Sequence, residues 1–322
     1  MFLAPEGDEM EIATAAADFL AEAMPIDRLH SSGSADMSAA MRGHLGEMGW
    51  FALAVPEASG GSGLSAVEHA LFFREVGRQC GPVDVLAQVL AARLPAPDDV
   101  HAALLSGEIG VALAVGDGDR TRVIGGTNAA YALNVTPDRT WFARLADAGE
   151  TRPALDPATS MRLTDGVLVE PVVKTNGPDV WRFGVLGTAA MLVGIAEAAL
   201  DLIVEYAKVR ETFGRKIGAY QAVRHPCADM ALRVEAARCQ LWYAAAALKE
   251  GRDDVDTHLD AAKHLANQAA LANADSNIQL HGGIGVTDEH HAHLMLKHAM
   301  LLGKLFGGKR AVLARLLHAK AA

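Results

Sequence analysis

Arg210-Glu211-Thr212-Phe213-Gly214-Arg215-Lys216-Ile217-Gly218-Ala219-Tyr220-Gln221 joins two long alanine-rich segments of helical period, and its reading decides the fold. A cation, an aromatic ring and an amide stand at fixed offsets around Gly214 and Gly218. Glycine lets backbone approach a ligand closely. The Arg210 guanidinium can fork two hydrogen bonds onto a phosphate, and Phe213 offers a flat face to a heterocycle. Together they suit a dinucleotide rather than a small metabolite. Taken alone, Arg210 has a plainer role, because a cation at the end of a helix faces the negative end of its dipole.

Two further stretches extend the pattern. Gln279-Leu280-His281-Gly282-Gly283-Ile284-Gly285 sets a glutamine and exposed backbone amides near a helix boundary, where they can hold phosphate oxygens. As a bland alternative, Gly282 and Gly283 would only cap that helix. Near the amino terminus stand Leu45-Gly46-Glu47-Met48-Gly49-Trp50, Val55-Pro56-Glu57-Ala58-Ser59-Gly60-Gly61-Ser62-Gly63-Leu64 and Glu75-Val76-Gly77-Arg78. One glycine cluster is an ordinary turn; three in this order, at both ends of the chain, are specific. On these residues the chain resembles the acyl-CoA dehydrogenase family of flavoproteins. The resemblance implies FAD as cofactor, with Arg210, Phe213, Gln221, Gln279, Gly282 and Gly283 gripping its pyrophosphate and adenine.

Composition is that of a globular protein: 322 residues, 51% hydrophobic and 21% charged. A formal charge of −10 argues against nucleic acid as a partner. Met1-Phe2-Leu3-Ala4-Pro5 runs into Glu6 and Asp8 without a basic n-region, so a cytoplasmic protein is expected. The longest apolar stretch, 184–196, is shorter than a bilayer span and reads as a helix packed on all sides; no membrane partner is expected. Cys80, Cys227 and Cys239 have no metal-ligand spacing and read as buried free thiols.

Residues 8–106 read as helical, with Ile12, Ala15, Ala16 and Phe19 on one stripe, a polar loop at Ser31-Ser32-Gly33-Ser34, and Ser65 as an N-cap. From 110 to 179 the chain turns strand-like, at 110–115, 129–135, 140–145 and 167–173. Helical period then returns at 183–211, 220–249, 256–281, 287–302 and on to 319, which implies a bundle. The expected fold is mainly α with a small β middle domain: an α–β–α architecture divided as a helical domain 1–107, a shortened β domain 108–180 and a carboxy-terminal helical bundle 181–322.

Asp288-Glu289-His290-His291-Ala292-His293, with His298, invites a metal reading. No two of these histidines are four apart, and only His290 and His293 share a helical face, so a solvated helix start is expected and no metal. Asp117 and Asp119 read as a turn rather than a carboxylate pair, and no serine has a nucleophile-elbow context.

The departures from the family pattern concern chemistry. Acyl-CoA dehydrogenation needs a carboxylate to take the α-proton and a flavin ring to take the hydride. The family's two alternative positions for its catalytic glutamate fall on Phe306, in Lys304-Leu305-Phe306-Gly307-Gly308, and at about Gly184, in Trp181-Arg182-Phe183-Gly184-Val185. The nearest carboxylates are Asp179 and Glu197. The family's Thr-Glu-Pro strand end is replaced by Ala114-Val115-Gly116-Asp117, and Thr140-Trp141-Phe142 is a poor stand-in for its Trp-Ile-Thr. Retained residues are those for the pyrophosphate; missing ones are those for the ring and the reacting carbons.

In the family each flavin is shared between subunits, and some steroid-degrading members pair a complete subunit with a reduced one. The resemblance therefore implies a reduced, non-catalytic subunit of an α2β2 acyl-CoA dehydrogenase. It would donate its grip on a shared FAD to a catalytic partner subunit, act with an acyl-CoA substrate (sterol-derived acyl groups among them) and pass electrons to an electron-transfer flavoprotein. Two alternatives stand beside it: a self-sufficient homo-oligomer with Asp179 as base, and a scaffold that no longer binds flavin.

Overall fold

The computed structural model describes residues 4–30, 36–145, 149–165 and 171–319. The serine-rich loop expected at 31–34 lies outside them, as does the 167–170 part of the last expected strand. The chain divides into two compact units.

One unit comprises Met1–His30, Ala70–Cys80 and Val185–Ala322. Helix α1 (Asp8–Ala23) opens with Asp8, Glu9 and Glu11 at its positive end. Its buried stripe is Ala13, Ala16 and Leu20, whereas Ala15 is exposed and Ile12 and Phe19 are half-buried. This corrects the expected face. Both sets satisfy helical spacing, and the one that carries Leu20 inward wins. Helix α6 (Asp179–Val209) is long and apolar enough to cross a membrane by length and composition, yet 94% of its most apolar stretch is buried in protein. Helices α7 (Gln221–Lys249) and α8 (Val255–His281) pack along each other, and α8 also carries α9 (Ala292–Leu302) and α10 (Lys309–His318). Many of their alanines are buried, Ala244 to Ala247 in α7 and Ala262, Ala266, Ala269 and Ala270 in α8.

Glycine decides where α3 (Ala66–Arg78) meets α6. A Cβ on Gly77 would stand 2.0 Å from the Met191 carbonyl, and one on Gly194 would stand 2.0 Å from that of Arg74. The two backbones touch at reciprocal notches. Around the crossing, Glu197 (4% exposed) takes Arg74 Nε at 2.7 Å, Arg78 at 3.5 Å and Arg238 at 3.6 Å.

The other unit comprises Ser31–His69 and Gly81–Gly184. It holds α2 (Ala39–Glu47), α4 (Val83–Ala92), α5 (Asp98–Leu105) and a seven-stranded sheet. Ser65 does cap α3: its Oγ accepts from Val67 N at 3.1 Å, and Glu68 reaches back to Ser65 N at 2.8 Å, a capping box. The strands are β1 (Val111–Asp117), β2 (Arg120–Ile124), β3 (Tyr131–Val135), β4 (Arg139–Arg144), β5 (Glu150–Arg152), β6 (Met161–Thr164) and β7 (Pro171–Asn176). Their order is β5-β6-β2-β1-β3-β4-β7, with β1 and β3 parallel and every other pair antiparallel. Gly118 at φ 63° and Asp119 make the two-residue turn between β1 and β2, so Asp117 and Asp119 belong to a hairpin. Helix α4, buried over its whole length, covers β1. The sheet is mixed and larger than the expected strands, since β2, β5 and β6 had no clear signal.

The thiols also differ from expectation. Cys80 is buried, but Cys227 is half-buried and Cys239 is exposed, with its Sγ 3.4 Å from Glu235 one turn earlier. Helical pattern placed both on α7 without saying which side faces solvent.

Candidate functional site

The opening motif folds as a small hairpin between α6 and α7. Strands β8 (Glu211–Thr212) and β9 (Arg215–Lys216) pair antiparallel, and the turn is Phe213-Gly214. Both turn residues have positive φ, 49° and 76°, the geometry of the tight hairpin turns. For phenylalanine that backbone is costly, and its ring is 99% exposed. The fold thus tolerates strain in order to hold an aromatic ring in solvent.

The base of the hairpin is well tied. Ile217 is buried and its N–H donates to the Arg210 carbonyl at 2.9 Å. Tyr220 donates its hydroxyl to the Thr212 carbonyl at 2.8 Å, and the Arg215 guanidinium lies 3.9 Å over the Tyr220 ring. Lys216 reaches Glu211 at 2.6 Å and the Val209 carbonyl at 3.2 Å. Arg210 and Gln221, the first residue of α7, are exposed. Beside the hairpin a groove of about 400 Å³ is lined by Val204, Ala207, Lys208, Lys216, Gly218, Val223, Arg224 and Cys227.

The second motif ends α8. Gln279 is exposed on the last turn, and Gly282 at φ 68° stops the helix. A 3-10 turn, Gly282–Val286, follows. A Cβ on Gly282 or Gly283 would meet nothing within 4 Å, so their backbone faces open space. Gly285 is different: a Cβ there would press to 2.7 Å from the Ile278 carbonyl. Ile284 and Val286 are exposed beside them.

The fold brings the two motifs together through aromatic packing. Tyr206, one turn before Arg210, packs its ring against that of His281, two residues after Gln279, with centroids 4.5 Å apart. Sequence reading missed this pair, which has no motif of its own.

These residues fit a flavin dinucleotide. Exposed guanidinium, amide and unobstructed glycine backbone are anion ligands, and the exposed ring of Phe213 suits an aromatic face. At the two positions that the resemblance assigns to a base, the side chains are apolar or absent. Phe306 is buried at 7% exposure with φ 50°, followed by Gly307 at φ 99°. Gly184 lies buried near the start of α6, next to Phe183, whose carbonyl meets His69 Nε2 at 3.0 Å.

The family model for the acyl-CoA dehydrogenase C-terminal domain matches residues 182–322, and that for the N-terminal domain matches 6–95. The acyl-CoA dehydrogenase IpdE2 of Mycobacterium tuberculosis is 33% identical over 278 residues, 84% of this chain and 83% of IpdE2. The chain belongs to the acyl-CoA dehydrogenase family. The acyl-CoA dehydrogenase FadE34 of the same organism is 35% identical over 306 residues, 88% of this chain; the chain spans 42% of FadE34's length. Among solved structures, a variant of the Tcur3481-Tcur3483 steroid ACAD superposes with a TM-score of 0.80 at 25% identity, covering 97% of both chains. The mainly helical fold with a mixed sheet is thus the acyl-CoA dehydrogenase architecture, and the family's cofactor is FAD.

Proposed function

We propose that this chain is the reduced subunit of a heteromeric, α2β2 acyl-CoA dehydrogenase, and that it lends its grip on a shared FAD to a catalytic partner. One observation carries the reading: Phe213 stands fully exposed on a strained turn, while the two base positions hold buried Phe306 and Gly184. A solvent-facing ring beside exposed Arg210 costs stability unless something covers it, and a pyrophosphate-bearing cofactor seated against a second subunit would do so.

Bound FAD would accept the β-hydride of an acyl-CoA thioester. This chain's share is positional. Arg210 would neutralise the pyrophosphate, Phe213 and Gln221 would hold the adenine half, and Gln279 with the Gly282 and Gly283 backbone would take the remaining oxygens. The α-proton would go to a carboxylate of the partner, because neither Phe306 nor Gly184 can accept it. Likeness to a steroid ACAD supports a bulky, sterol-derived acyl group. Electrons would leave to an electron-transfer flavoprotein, and the assembly would work in the cytoplasm.

The test is stoichiometry and turnover. Purified alone, the chain should show no dehydrogenation of acyl-CoAs with a dye acceptor. Co-expressed with its partner, it should form a heterotetramer with two flavins. Four flavins, or ordinary turnover by the single chain, would overturn the reading.

A further inference from the structure

We propose that Asp27, His30 and His291 form a binding site for one divalent d-block cation of the zinc class. One ligand atom from each of the three lies within 4.8 Å of the others. Asp27 and His30 come from the short 3-10 segment Ile26–His30, and His291 is the N-cap of α9. The site therefore joins parts of the chain that are 264 residues apart. It goes beyond the flavin grip and uses none of its residues.

The tautomer of His30 is set by its neighbour. Its Nδ1 lies 2.5 Å from the Asp288 carbonyl oxygen. A carbonyl can only accept, so Nδ1 carries the proton and Nε2 presents its lone pair. A histidine ligand fixed by a backbone carbonyl on its other nitrogen is the usual outer support of a metal site. The rings of His30 and His291 stack with centroids 5.0 Å apart at 26°, so both are presented side by side.

The third side of the site is the contact of His291 Nε2 with Asp27 Oδ1 at 2.9 Å. Two ligands 2.0–2.2 Å from a tetrahedral zinc stand about 3.3 Å apart. Replacing the shared proton by a cation needs only a few tenths of an ångström there, and a modest closure of His30. Two imidazoles and one carboxylate match a borderline cation better than magnesium or calcium, which prefer all-oxygen shells. Three protein ligands leave a fourth position for water. Asp27 has a side-chain exposure of 78%, so a hydrated ion can enter from solvent.

The consequence is a staple. A bound cation would tie the amino-terminal segment to the connection that follows Gly282–Val286, and so steady the end of the glutamine–glycine motif.

Titration of the full chain, carrying a tag without histidine and stripped by chelator, tests this directly. Zn²⁺ in a calorimeter should give one site per chain with Kd on the order of micromolar, and Co²⁺ should give the visible bands of a four- or five-coordinate site. Asp27→Asn, His30→Ala and His291→Ala should each weaken binding roughly 100-fold, whereas His225→Ala, on the exposed face of α7, should not change it. Asp27, His30 and His225 are exposed and His291 is half-buried, and thermal melts of the cation-free variants would verify that each folds. Binding weaker than millimolar, or binding that survives Asp27→Asn unchanged, overturns the proposal.

Discussion

Arg93 holds Asp179 in an ion pair at 3.0 Å while its guanidinium lies 3.5 Å over the ring of Phe183. A second nitrogen of the same guanidinium donates to the Ala54 carbonyl. Asp179, the nearest carboxylate before Gly184, is thus already engaged, and Glu197 is enclosed by three arginines.

Asp179→Asn should therefore leave turnover of the co-expressed complex within about threefold of the parent, since an ion pair this exposed is worth about 0–1 kcal/mol. Steady-state rates with an acyl-CoA decide it. A loss of several orders of magnitude would instead make Asp179 the base.

Arg210→Ala removes a charge-assisted contact worth roughly 1.5–3 kcal/mol, so FAD affinity in the complex should drop by about one to two decades. Arg210 is exposed and its backbone bonds, N–H to the Tyr206 carbonyl and carbonyl from Ile217 N–H, do not depend on its side chain. Circular dichroism should be unchanged while flavin absorbance per heterotetramer falls on dilution.

Asp84 gives the sheet-bearing unit a pH dependence. Burial, then the neighbouring charge of Asp36, pushes its carboxyl up to about 7 from an ordinary 3.8, against the opposing N–H groups of Met37 and Gly126. The folded chain therefore holds this proton more tightly than the unfolded chain does. The resulting stability is complete below the unfolded value and is lost as pH rises from about 4 through 7. Asp84→Asn should flatten that limb and raise stability at pH 8, by on the order of 1–3 kcal/mol. Urea melts across the range measure it.

Lys263 acts in the opposite window. It is fully buried, donates to the Leu302 carbonyl at 2.7 Å, and burial pushes it down to about 7 from 10.5. The unfolded chain binds this proton more tightly, so stability should climb from about pH 7 to pH 10. In Lys263→Met that climb should vanish, at a cost of about 1 kcal/mol for the lost hydrogen bond, since the Leu302 carbonyl keeps only the Leu305 N–H at 3.2 Å. The slope of melting temperature against pH separates the two effects.

Gly194→Ala would drive a methyl to within 2.0 Å of the Arg74 carbonyl. Backbone cannot yield as a flexible side chain does, so α3 and α6 must separate, at a cost of about 2–3 kcal/mol. Chemical denaturation of the variant checks this, with Gly43→Ala, where a Cβ meets nothing within 4 Å, as the tolerated comparison.

Much of the architecture follows from local pattern. Helical period placed α7 and α8 to within one residue of their ends, because an amphipathic repeat and its caps lie in neighbouring turns. The motif at 210–221, the glycine stop of α8 and Ser65 as an N-cap are likewise short-range, so sequence alone located them, whereas the hairpin within the motif and the return bond of Glu68 emerged only in the structure. Strands β2, β5 and β6 were not legible: β5 is three exposed residues, and β6 buries Arg162 because its guanidinium finds the Gly126 carbonyl at 2.9 Å. β2 follows β1 through the Gly118-Asp119 turn, but its other edge is set by β6, with Ile124 opposite Met161, a partner far away in sequence. For the same reason only tertiary structure showed which face of α1 is buried, that Cys239 faces solvent, and that Tyr206 meets His281. It also decided that Asp27, His30 and His291 converge. Sequence determines what each segment can become through neighbours a few residues away; packing between distant segments selects the face, the pairing and the polar partner.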